Sequence, residues 1–399
     1  MITYGHNLKF RNKSTRDSQQ YLSDWGANTC HDRGDKEKSR RCDYFHNVHT
    51  HRNLYTIDIT MKRAILLPTP GDPFLFSFWL HFYEKNLHNS GLYRLLVNFN
   101  GTTPVSIVDK EVDWLLSLSS SNKYIYHDHM IDHGAAINEL LEITEEPTLM
   151  LAEDDCFLLS GEKIDRCFDQ IETSIDIVGS KRGSCGMEIL ERAKQLWGLD
   201  YHGYGDQGCN FWPAMFFIKT EILKSTDRHF GARLWRAGQS IDYLDGYMCT
   251  QDQAGDTFVN TSLQLRNLVS QEKISYIPQH HAHPEDIEHH QRGTHIFEQP
   301  VPWVHIGSLS SGLGGVLDLT KNIDHMIPKT NMEIQEWERR VQVWQTAWKW
   351  TIENRDCDQN LLNFAGIYRD ALNRVIDTFY LNKKRIARRQ EIYQNVFNI

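Results

Sequence analysis

The chain has 399 residues, 40% hydrophobic and 11% aromatic, with a formal net charge of −9 at pH 7. That length fills one large domain with appendages, or two domains, and the acidic balance disfavours a wholesale nucleic-acid coat. No run approaches the roughly 18 apolar residues of a membrane span, the polar N-terminus lacks the pattern of a signal peptide, and eight irregularly spaced cysteines without CxxC pairs read as reduced thiols; a cytoplasmic location is expected.

Residues 1–60 are rich in His, Arg, Asp, Asn and Ser and poor in aliphatic periodicity. Such a segment buries too little apolar surface to offset its ordering entropy, so loose order is expected. Cys30, Cys42, His46, His49 and His51 offer a Cys/His set, but the Cys30–Cys42 spacing is too long for a finger knuckle.

From Met61 the rhythm becomes strand, helix, strand. Arg63 to Pro68 is a compact apolar run, after which Asp72-Pro73 supplies an N-cap and a first-turn proline for a helix to about Leu87. Tyr93 to Val97 reads as a second strand closed by Asn98-Phe99-Asn100-Gly101, Val112 to Leu118 as a short helix or strand, and Tyr124 to His127 as another strand. Apolar residues at Ala136, Ile137, Leu140, Leu141 and Ile143 have the spacing of a helix face over Ala135–Thr144.

Next comes Leu149-Met150-Leu151-Ala152-Glu153-Asp154-Asp155-Cys156-Phe157-Leu158, three consecutive acids between apolar runs. A short continuous apolar run reads as a buried strand, and the carboxyl end of a strand in an α/β sheet is where ligands bind. On an extended strand end, Glu153 and Asp155 point to one side and Asp154 to the other. Two same-side carboxylates can share one Mg²⁺ or Mn²⁺, and an ion held so can neutralise a diphosphate leaving group.

Further strands are expected at Ile175–Gly179, Ala214–Ile218 and Ile274–Ile277, with a short helix from Thr220 to Leu223. The alternation implies an α/β fold, a mostly parallel sheet flanked by helices. The loop from Leu199 to Pro213 offers Tyr201, Tyr204 and Trp212 as flat faces for a ligand, or reads as a plain surface loop with buried aromatics. From Asn331 to Phe397 the pattern is helical, and its tryptophan stripe (Trp337, Trp344, Trp348, Trp350) reads as core. The expected division is 1–60 a polar segment, 61–325 the catalytic domain and 326–399 a helical extension.

The stretch Gly134-Ala135-Ala136-Ile137-Asn138, followed by a helix and then Thr148 to Asp155, resembles the glycine-to-asparagine helix and DxD strand of glycosyltransferases with the GT-A fold. Ile65-Leu66-Leu67-Pro68-Thr69-Pro70 resembles that fold's first strand, and the resemblance spans roughly Met61 to Leu313. It implies metal-dependent transfer of a sugar from a nucleotide sugar to a glycan, protein or other hydroxyl acceptor. Glu153 and Asp155 match the metal-facing acids. Pro68, Thr69, Asn98, Asn138, Asp154 and Ser308 are the implied donor-binding residues. His305, an apolar strand's end before a Gly/Ser loop, is the distant candidate for a third metal ligand; the His-rich run 280–290 competes with it.

An inverting transferase needs a carboxylate to take the acceptor's proton. Asp256 is a candidate, since it can begin a helix-like stretch through Leu263, and Asp242, Asp245 and Asp252 are others; as an N-cap Asp256 would instead serve the backbone alone. The basic run Lys383-Lys384-Arg385 with Arg388-Arg389 reads as a solvated helix face that can also meet an anionic membrane surface or acceptor. Two rival readings are a sugar nucleotidyltransferase, disfavoured because Pro68–Asp72 carries no basic residue, and a non-catalytic carbohydrate- or nucleotide-binding protein.

Overall fold

The computed structural model describes residues 63–87, 92–100, 105–181, 185–198, 211–277, 303–305 and 346–354, with scattered helical positions between 363 and 391. The expected N-terminal segment with its Cys/His set, the His-rich run, the loop 199–210, Ser308, Trp337 and Trp344 lie outside the described residues.

Seven strands form the main sheet: β1 (Arg63–Thr69), β2 (Tyr93–Phe99), β3 (Lys123–Tyr126), β4 (Thr148–Ala152), β6 (Ile177–Lys181), β7 (Phe211–Lys219) and β12 (Ile274–Ile277). Their order is β12-β6-β7-β4-β1-β2-β3. β7 runs antiparallel to both its neighbours, and every other pairing is parallel. This is the mostly parallel α/β sheet anticipated from the alternation of strands and helices. The chain builds outward from β1 to β3, then returns to place β4 on β1's other side. That reversal is a topological switch point, and ligands bind at the carboxyl ends of strands there.

β1 shows why the sheet is buried on both faces. Ile65 and Leu67 enter the core beneath helix α1 (Pro73–Asn86) and helix α4 (Gly161–Thr173), while Ala64 and Leu66 face helix α3 (His133–Glu142) and helix α7 (Val259–Leu268). A two-residue period on a doubly covered strand makes every position apolar. α1 begins as read: Asp72 Oδ1 accepts the amide hydrogens of Phe74 and Leu75, both at 2.9 Å, and Pro73 opens the first turn. Phe74, Phe76, Phe78 and Phe82 are all buried, each contributing roughly 1.5–3 kcal/mol by area. The outer face of α1 is covered by helix 346–354, where Trp348 stacks on Phe74 at 4.5 Å and Trp350 lies 4.6 Å from His81. The described part of the tryptophan stripe therefore packs into the core.

Several boundaries differ from expectation. The segment read as a short helix or strand is helix α2, Val105–Leu118. Helix α5 (Met187–Trp197) was not anticipated; it packs on two small hairpin sheets, β8 (Arg233–Trp235) with β11 (Gln253–Gly255) and β9 (Ser240–Ile241) with β10 (Tyr247–Met248), around Trp235 and Leu244. Trp212, expected in a loop, already belongs to β7. Asp256 does not begin a helix: α7 starts at Val259, after Phe258 in the left-handed region at φ 69°.

Candidate active site

The carboxyl ends of β1, β2, β3 and β4 converge on one edge of the sheet. At the switch point, Thr69 ends β1 and the acids follow β4. Thr69 Oγ1 donates to Asp154 Oδ2 at 2.6 Å and accepts the Gly71 amide hydrogen at 3.0 Å, so one hydroxyl bridges both strands and the turn beyond β1. Asp154 and Asp155 are buried, and Glu153 is half-buried.

The acids do not extend β4. The strand stops at Ala152, and the amide of Cys156 donates to the Glu153 carbonyl at 3.0 Å, closing a turn over Glu153–Cys156. Strand alternation therefore does not set their directions, correcting the expectation of an extended end. The turn leads into the short strand β5 (Cys156–Leu158), which pairs antiparallel with β13 (Trp303–His305) and brings His305 opposite Cys156, next in the chain to Asp155. Burial pushes the Cys156 thiol well up, with Asp155 and Glu153 adding to the effect, so this cysteine is held as an inert thiol rather than a nucleophile.

Helix α3 supplies a residue absent from the expected set. Asp132 Oδ1 caps the helix by accepting from the amides of Gly134 (2.9 Å) and Ala135 (3.2 Å), and His133 follows as the first helical residue. Its Nε2 is buried, has no hydrogen-bond partner among the described residues and lies 3.7 Å from Glu153 Oε1. Burial pulls the His133 imidazole below its ordinary value, while Asp132 and Asp155 pull the other way. Gly134 is required for this placement: a Cβ there would overlap the backbone nitrogen of Gly231. Asn138, expected to bind the donor, donates from Nδ2 to the Arg228 carbonyl at 2.8 Å, and Arg228 pairs with Glu142. Together these contacts fasten the segment 228–231 along α3.

Asn98 sits near the end of β2, in register with Pro68 of β1. Its Nδ2 donates to Glu139 Oε2 at 2.8 Å, and the same oxygen lies 2.6 Å from His127 Nε2. Asn98 Oδ1 is buried and has no hydrogen-bond partner among the described residues. Asn98 and Thr69 are thus spent in part on joining strands to a helix and a turn.

No family model matches the chain, and no curated protein matches it. Among solved structures the chain is similar to S. aureus TarS 1–349, at 13% identity over 79% of this chain and 82% of that one, with a TM-score of 0.36. It is similar to the mannosyltransferase PcManGT from Pyrobaculum calidifontis in complex with GDP-Man and Mn²⁺, at 9% identity over 80% and 86%, TM-score 0.33. A third similarity is to mouse xyloside xylosyltransferase 1, at 10% identity over 62% and 98%, TM-score 0.36.

The base candidates lie on the hairpin layer and at the approach to α7. Asp245 Oδ2 accepts from Arg192 Nη2 at 2.9 Å, and Asp252 accepts from Arg236 Nη1 at 2.8 Å and the Ala237 amide at 2.9 Å. The Ala237 amide, then Arg236, hold the Asp252 carboxyl below its ordinary value. Asp242 opens a short 3₁₀ turn, Asp242–Leu244. Asp256 Oδ1 accepts the Thr257 amide hydrogen at 2.8 Å. Among the described residues no three His, Cys, Asp or Glu form a group that could hold a metal ion by themselves, and no helix is long and apolar enough to cross a membrane.

His133 carried a signal that reading from Gly134 onward passed over. Asp132 two residues before Gly134 is an N-cap pattern, and a side chain at the first helical position after a parallel strand points to the sheet's binding edge.

Proposed function

We propose that the chain is a nucleotide-sugar-dependent glycosyltransferase whose donor lies across the carboxyl ends of β1 and β4. The observation that carries this reading is the Thr69–Asp154 bond at the switch point, beside the turn that holds Glu153 and Asp155. A buried carboxylate fixed by a hydroxyl is a pre-set acceptor for sugar or ribose hydroxyls, and the neighbouring acids favour a cation that a diphosphate would share.

The residues fit a divalent metal: an imidazole nitrogen with no hydrogen-bond partner among the described residues lies beside the Glu153 carboxylate, and the Asp155 carboxylate acts on the same ring. Glu153 and Asp155 would hold the ion, with His305 a further candidate through its place opposite Cys156. The ion would supply charge neutralisation at the diphosphate. Pro68, Asn98 and Asn138 keep their proposed role as positioning residues for the donor, and Ser308 its proposed diphosphate contact.

Asp256, Asp252 and Asp245 are the candidate bases for the acceptor's proton. In an inverting course the acceptor oxygen bonds to the anomeric carbon, the bond from that carbon to the diphosphate oxygen breaks, and the acceptor's proton passes to one of these carboxylates. The acceptor is a hydroxyl of a glycan, protein or other molecule, and the basic positions Lys384, Arg385 and Arg388, all on helical residues, suit an anionic one.

Incubation of the protein with a panel of nucleotide sugars and Mn²⁺ tests the reading. Metal-dependent release of nucleoside diphosphate supports it. Pyrophosphate exchange would replace it with a nucleotidyltransferase, and binding without turnover would replace it with a binding protein.

A further inference from the structure

The distance between His133 and Glu153 fits neither a hydrogen bond nor simple separation. At 3.7 Å, Nε2 and Oε1 are beyond direct bonding, which needs roughly 2.7–3.2 Å. Two ligand atoms so placed would both be able to hold one divalent ion. Among the described residues this buried ring nitrogen has no hydrogen-bond partner, and leaving one so costs stability. The arrangement is also held from several sides. Asp132 caps the turn that carries His133, Gly134 abuts Gly231, and the Cys156-to-Glu153 backbone bond fixes the turn that carries the carboxylate.

From this geometry we propose that His133 is a nitrogen ligand, alongside Glu153, for the divalent cation of the site, and that it biases the site toward Mn²⁺ over Mg²⁺. The glycosyltransferase reading is needed only to say that a diphosphate completes the ion's shell. Carboxylates suit Mg²⁺ and Mn²⁺ alike, but Mg²⁺ holds to oxygen ligands and its waters, so an imidazole in the set would favour the transition-metal ion Mn²⁺. A site built from acids alone would not discriminate this way. The metal preference is thus set by the first residue of α3, outside the acidic triplet itself.

The test uses the full chain and Mn²⁺ alone. Electron paramagnetic resonance measures free Mn²⁺ during titration, and electron spin-echo modulation detects ¹⁴N bound to the ion. The wild type is expected to bind Mn²⁺ more tightly than Mg²⁺ in competition and to show one ¹⁴N coupling. His133→Ala and His133→Gln are both expected to lose that coupling, to weaken Mn²⁺ binding by roughly 10- to 100-fold, and to narrow the gap to Mg²⁺. Circular dichroism shows which variant keeps the native fold. His129→Ala, whose exposed ring pairs with Asp128, is expected to behave as wild type. No Mn²⁺ binding, binding without ¹⁴N coupling, or a coupling that survives in folded His133 variants and disappears in His305→Ala would each overturn the proposal. A His133-dependent ¹⁴N coupling in a protein that turns over no nucleotide sugar would leave this ligand standing and remove the transferase reading.

Discussion

The hydroxyl of Thr69 donates to Asp154 Oδ2 at 2.6 Å across the two strands between which chain succession reverses. Asp154 is buried, so this donor helps to orient the carboxylate and offsets part of its desolvation. Thr69→Val keeps the shape and removes the donor. The expected loss is about 1–3 kcal/mol of stability, read from urea midpoints, with a rise in KM for the donor. A variant as stable and as tight for donor as wild type would show the bond to be incidental.

Asp155→Asn is expected to leave the fold intact, because the amide is isosteric and the turn is closed by backbone, and to abolish metal-dependent release of nucleoside diphosphate. Unchanged turnover at saturating Mn²⁺ would remove Asp155 from the site.

Gly134→Ala forces a methyl group into the Gly231 backbone. Neither partner is a flexible side-chain end, so overpacking of about 1–3 kcal/mol is expected. Turnover should fall along with stability, since His133 rides on the displaced turn. Thermal unfolding compared with Ala135→Gly, at the exposed neighbouring position, separates the clash from a general helix effect.

Acid stability should carry a contribution from Asp227. Burial raises its pKa, but the His229 amide, Asn260 and Gln264 as hydrogen-bond donors, and then Arg233, outweigh that and leave it below the ordinary value. A depressed folded-state pKa stabilises the protein above the unfolded value, near 3.9, and that stabilisation is lost as pH falls through the folded value. Asp227→Asn should therefore be less stable than wild type at neutral pH, with the difference closing below about pH 4. A urea-midpoint gap that stays constant from pH 7 to the acid limit would contradict this.

The elements that declared themselves in the sequence are those whose burial follows a period. β1, β4 and β12, the Asp72 cap of α1 and the face of α3 rest on local chemistry that the tertiary structure only completes. β8 to β11 are two or three residues long and half polar, too short to show any period; packing around Trp235 makes them strands. Asp256 looked like the cap of α7, but Phe258 in the left-handed region delays the helix by a turn, and an aromatic in that conformation has no sequence signal. Within the site, the acids and Thr69 were legible by position. The partners of Asn98 and Asn138 were not, because Glu139 and the Arg228 carbonyl come from an adjacent helix and a later loop. His133 was overlooked because its meaning depends on a 3.7 Å approach to a residue in another element.

The pairing of β5 with β13 also bears on how the protein is made. β1 to β4 emerge early from the ribosome and can assemble through neighbouring parallel pairs, yet the strand that pairs with β5, directly after the acidic turn, arrives only once residue 305 has been synthesised. Contacts so distant in sequence form slowly. The nascent chain thus owns its first four strands well before the rim beside the acidic turn is complete.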